Sequence, residues 1–149
     1  NCRPDDVTAM VLGGHGDSMV PLLSRATIGG IPAKQVLSDE ALDEVAKRTA
    51  DGGGEIVRLL GKGSAFYAPA AAIVEMIDAI LLHRKLLPCS VMLSGEYGIS
   101  DMFQGVPVFI GPEGLEEISE IKLDDKELTS LQKSAEENKS MLKTALGYS

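Results

Sequence analysis

Three apolar runs late in the chain, "LPCSVMLSGEYG", "GVPVFIG" and "LEEISEIKL", are joined by short loops with Gly or Pro in them or at their edges. Strands joined this tightly pair antiparallel, because a parallel partner needs a crossover of about a dozen residues or more. The spacing therefore predicts a β-meander. What flanks it completes the fold class. Upstream, residues 7–12 read as a buried strand between Asp5-Asp6 and Gly13-Gly14, and residues 19–28 as one bent strand ended by Gly29-Gly30 and Pro32.

A helix is expected to start at Ser38, a residue that caps free amides, with Asp39 and Glu40 in the first turn where the helix dipole favours acid. Leu42, Val45 and Ala46 form its apolar stripe. Gly52-Gly53-Gly54 is expected to interrupt it, with Ile56, Leu59 and Leu60 resuming the pattern. Ile73, Met76, Ile77 and Ile80 fall at i, i+3, i+4 and i+7, the spacing of one helix face. A last helix opens at Asp124 with Glu127 three residues on, a capping-box spacing, and carries Leu128, Leu131, Ala135, Leu142 and Ala145 as a core stripe. The order strand, helices, meander, helix predicts an α+β fold, an antiparallel sheet packed with helices, over a single domain of residues 1–149. No βαβ alternation occurs.

Charge excludes some partners. The net charge of −8 argues against nucleic acid, which is bound by clustered Lys and Arg. Residues 68–82 are the most apolar segment, but Glu75 and Asp78 interrupt it, so no membrane span is expected. The first ten residues show no apolar signal-peptide core. Cys2 and Cys89 lie far apart without metal-ligand or disulfide-framework spacing, which fits a reducing compartment and a cytoplasmic location with no bound metal.

The candidate chemistry lies in "VLGGHGDSMVP". His15 stands between glycines, which strip away side-chain cover and let a ligand approach. Imidazole titrates near neutrality and suits a proton acceptor. The residues alone leave two readings open: a turn histidine bonded to backbone, or a functional base followed by an acid at Asp17. His83, beside Arg84 and Lys85 at a helix end, reads as structural. "GKGS" at 61–64 and "GGG" at 52–54 match neither the P-loop nor the dinucleotide-binding glycine pattern. No nucleophile-elbow motif surrounds Ser18.

Set side by side, "DVTAMVLGGHGDSMVPL", "IGGIPAKQVL", "RTADGGGEIVRLLGKGSAFYAPAAAIVEMIDAIL", "LPCSVMLSGEYGISDMFQGVPVFIG" and "EEISEIKLDDKELTSLQKSAE" resemble, in order, the C-terminal half of the lactate/malate dehydrogenase family. "GSAFYAPAAA" is similar to the malate branch rather than the lactate branch. The resemblance implies an oxidoreductase half that interconverts malate and oxaloacetate with NAD. It implies that His15, in the GGHGD segment with Gly14, takes the 2-hydroxyl proton. Ser64 and Ala65 would lie near substrate, and Pro69 would pack against the nicotinamide. The family's orienting aspartate and substrate-clamping arginine stand in an LD-x-x-R-x-R segment upstream of the matched region, and Arg3 does not match it. The resemblance thus implies an N-terminal Rossmann half as partner, with most of the NAD site, and assembly into a homo-oligomer. A lactate dehydrogenase half, or a non-catalytic association module, are the alternatives.

Overall fold

The computed structural model describes residues 2–147, so Asn1, Tyr148 and Ser149, at the ends of the expected 1–149 domain, lie outside the described residues. In chain order the elements are β1 (Val7–Thr8), β2 (Val11–Gly13), β3 (Met19–Pro21), β4 (Thr27–Ile28), β5 (Ile31–Pro32), α1 (Ala33–Val36), α2 (Asp39–Ala50), α3 (Gly52–Leu60) and α4 (Tyr67–Leu81). These are followed by β6 (Lys85–Ser94), β7 (Ser100–Gly111), β8 (Gly114–Ile118) and α5 (Asp125–Leu146). The α+β expectation holds: both sheets are antiparallel and helices pack on them.

The larger sheet runs β3-β2-β7-β6, with β8 beside β7. The β6–β7–β8 part is the meander. One edge of β7 pairs with β6 from Ser100 to Ile110; the other is shared by β2, at Gly13↔Gly105, and by β8, at Val108–Gly111. Along β7, Gln104, Val106, Val108 and Ile110 alternate into the core, as a period of two requires. They join Leu12, Leu22, Leu93, Ala79 of α4, and Leu131 and Ala135 of α5; the buried row is apolar apart from Gln104.

Three expectations are corrected. Residues 7–12 and 19–28 do not form single strands. They run antiparallel as a ribbon whose Val11↔Pro21 end belongs to the larger sheet and whose Val7↔Ile28 end belongs to a separate three-stranded sheet, β1-β4-β5. Between these ends Ala9 and Met10 face the longer run 22–26, and unequal lengths cannot hold one register. Gly52-Gly53-Gly54 do not interrupt a helix: they lie inside α3, and the break is Asp51 alone, which caps both helices. A glycine costs a helix only about 1 kcal/mol, and the Asp51 carbonyl already accepts from the Glu55 amide at 2.8 Å. Finally, the α5 stripe buries Leu131 and Ala135, whereas Leu142 and Ala145 are exposed, because they border an open groove shared with Met92 and Phe103 of the sheet.

The caps are as expected. The Ser38 hydroxyl accepts from the Ala41 amide, and the Asp124 carboxylate accepts from the Glu127 amide at 2.8 Å while Glu127 accepts from Asp124. Glu127 is buried and also accepts from the Ser24 amide and hydroxyl, which ties the start of α5 to the turn after β3. Asp124→Ala removes the outer half of this box. The expected loss is about 0.5–2 kcal/mol of stability, read as a lower urea midpoint with unchanged slope.

Candidate functional site

His15 stands at the tip of the β2–β3 hairpin, whose ladder closes at Gly13↔Met19. Two backbone features shape the tip. Gly13 adopts φ +88°, a left-handed conformation that strains other residues. Opposite it, a side chain on Gly105 would meet the Gly13 carbonyl oxygen at 2.6 Å, so only glycine lets β2 lie this close to β7. The loop turns back through the Met19 amide, which donates to the Gly16 carbonyl at 3.0 Å. The result presents His15 and Asp17 to solvent while Leu12 and Val20, at the foot of the hairpin, are buried.

A cavity of about 410 Å³ opens beside this tip. It is lined by Gly14 and His15 from the hairpin, Cys89 and Ser90 from β6, Gln104 from β7 and Asn138 from α5. Burial pushes the Cys89 thiol above the usual cysteine range, so it stays protonated at neutral pH, and it is free, as is Cys2.

A polar chain runs under the tip. The Gly14 amide donates to the Ser134 hydroxyl oxygen at 2.9 Å, and the Gln104 amide nitrogen donates to the same oxygen at 3.0 Å. The Gln104 carbonyl oxygen accepts from Asn138 at 3.0 Å. Sequence reasoning missed Gln104, Ser134 and Asn138. The one local signal was Gln104 standing immediately before the apolar run "GVPVFIG".

Of the residues singled out in the sequence, the structure brings Gly14 and His15 to the cavity. Ser64 is exposed and Ala65 half-buried in the loop before α4, Pro69 is exposed in the first turn of α4, and none of the three lines the cavity. The Ser64 hydroxyl accepts from the Phe66 amide, and Phe66 holds φ +33°. His83 is exposed just beyond α4, where its amide donates to the Asp78 carbonyl.

The arginines, whose forked guanidinium clamps a carboxylate best, are each engaged with another partner. Arg3 pairs with Asp5, Arg48 with Glu55, Arg58 with Asp51, and Arg84 with Glu116 and Glu117, while Arg25 donates to the Lys122 carbonyl. The His15 ring forms no ion pair among the described residues. No metal-holding cluster of His, Cys, Asp or Glu occurs among them, and no helix there is long and apolar enough to cross a membrane. What remains is an exposed imidazole on a rigidly backed loop, able to exchange a proton with a ligand that other groups must hold.

The model of the lactate/malate dehydrogenase, alpha/beta C-terminal domain matches residues 1–148. A malate dehydrogenase of Chlorobium phaeovibrioides is 54% identical over 136 residues, which cover 91% of this chain and 44% of that protein. Among solved structures, malate dehydrogenase from Salinibacter ruber superposes with a TM-score of 0.87 at 48% identity, covering 93% of this chain and 45% of that one. Lactate dehydrogenase from Eimeria maxima, with NADH and oxamate, superposes with a TM-score of 0.89 at 38% identity, covering 97% and 47%. The chain thus spans about half the length of the curated relatives it matches.

Proposed function

The chain belongs to the lactate/malate dehydrogenase family, and we propose that it is the catalytic C-terminal domain of an NAD-dependent malate dehydrogenase. The observation that carries this reading is His15 itself, exposed at a glycine-flanked hairpin tip and lining a cavity beside it. An unprotonated imidazole nitrogen of His15 takes the proton of the malate 2-hydroxyl, which lets the carbonyl of oxaloacetate form. In the reverse direction the imidazolium returns it. The dinucleotide, when bound, supplies the hydride acceptor for the C2 hydrogen.

Only one flank of a dinucleotide site fits this chain. Pro69 is exposed and free to pack against a planar ring, as are Ser64 and, in part, Ala65 to face a substrate. The antiparallel sheets offer no βαβ turn to cradle a pyrophosphate. The proposal therefore assigns the pyrophosphate cradle, the substrate-clamping arginine and the acid that orients His15 to an N-terminal Rossmann half.

The same reading accounts for the apolar surface of α3 and α4. Leu59 (80% exposed) and Tyr67 (78%) face solvent, and so does the expected apolar face of α4, Ile73, Met76, Ile77 and Ile80. Patches of this kind mark interaction sites, and the proposal places subunit and interdomain contacts of a homo-oligomer there.

The test concerns substrate. With the N-terminal half present, NADH formation is measured with malate and with lactate under identical conditions. Malate is expected to turn over with the higher kcat/KM, by roughly 10²-fold or more, the scale on which a site that pairs a charged group rejects a ligand lacking it. A preference for lactate would reassign the domain to the other branch of the family, and turnover of neither would leave the association module as the better account.

A further inference from the structure

We infer that Ser134 is a positioning residue for His15, acting through the backbone amide of Gly14; the inference rests on His15 being the base. The His15 side chain is exposed and takes part in no ion pair among the described residues, so its location depends on the loop backbone. That backbone is held from below. Ser134 sits in the middle of α5 and is 2% exposed. A mid-helix serine hydroxyl ordinarily turns to solvent or bonds back to its own helix; the Ser134 oxygen instead accepts from Gly14, 120 residues away, at 2.9 Å.

The same oxygen accepts from Gln104, which is 1% exposed in a row whose other members are Val106, Val108 and Ile110. A buried glutamine is costly unless every polar atom is paired, and here the pairing is complete: its nitrogen reaches Ser134 and its oxygen accepts from Asn138. An apolar residue would satisfy the core more simply. What the glutamine adds is orientation, because it fixes the Ser134 oxygen toward the hairpin. Asn138, one turn beyond Ser134 on α5, closes the other side: a side chain on Gly14 would meet its amide at 3.0 Å. Sheet, helix and loop are thereby joined at the residue preceding His15.

The experiment uses the enzyme assembled with its N-terminal half, in four forms: unmodified, Ser134→Ala, His15→Asn, and the double variant. Ser134→Ala is expected to lower kcat for malate oxidation roughly 10–100-fold, the effect of a base displaced by about an ångström, with KM for the dinucleotide unchanged. In the His15→Asn background the same substitution should cost nothing further, since a residue acting through the base has no effect once the base is gone. Equal losses in both backgrounds, or no loss in the first, would overturn the inference. Lys133→Ala, on the exposed side of the same turn, is the control and should leave kcat unchanged. Hydrogen exchange at the Gly14 amide tests the anchor without any substitution: slow exchange is expected, and exchange at the rate of an open loop amide would overturn it. Normal turnover by His15→Asn would instead defeat the assignment of His15, and the Gly14 amide would still report whether the loop is anchored.

Discussion

His15→Asn in the complete enzyme is expected to lower malate oxidation by about 10²–10⁴-fold, the usual contribution of a positioned general base. Asparagine keeps a polar side chain of similar reach but has no titrating nitrogen. At this exposed tip it fills no core volume, so stability should change by less than about 0.5 kcal/mol. Dinucleotide affinity should persist, because the proposal places that site on the other half. The measurement is a steady-state assay of NADH formation, paired with a binding titration. His83→Asn is the internal comparison: its side chain is also exposed, but it lies past the end of α4 and does not line the cavity. If the His15 variant turns over malate at the normal rate while binding the dinucleotide, the histidine is a turn residue and the site has been misread.

The second expectation is larger. The 149-residue chain alone should form no detectable NADH from malate, and mixing it with a separately produced N-terminal half should restore turnover. The physical ground is positional. A base accelerates reaction only when substrate is held within hydrogen-bond reach, and every arginine that could clamp a carboxylate is engaged with another partner. Loss of a single orienting acid already costs orders of magnitude where a histidine needs one tautomer. The exposed face of α3 and α4 adds a second consequence, since isolation leaves Leu59, Tyr67 and Leu81 in water and favours self-association. Steady NADH production by the pure chain would mean that clamp and cradle are present here in a form the geometry does not reveal.

Features that depend on neighbours in sequence were legible without a structure. The Ser38 cap, the Asp124–Glu127 box and the short β7–β8 turn are decided within a few residues and form as expected, whereas the β6–β7 turn falls at 95–99, inside the run expected as strand. The GGHGD segment stood out as a candidate, because glycines beside a histidine expose the ring, but the residues alone left a turn histidine and a base both open. The face of α4 was read correctly as apolar, but periodicity reports which residues share a side and not what covers them.

The tertiary structure alone decided the remainder. That the ribbon splits between two sheets follows from unequal run lengths on strands that meet only after folding. The glycines of α3 stay helical because flanking turns outweigh a small local preference. The anchor under His15 joins residues 14, 104, 134 and 138, and no local pattern links a glycine amide to a serine 120 positions away. Sequence by itself determined the helix caps, the order of the main elements and the candidate for the base, His15, since these rest on propensity, capping and side-chain type. What holds that base in place was determined by long-range packing, where the partner of each polar group is chosen by the fold.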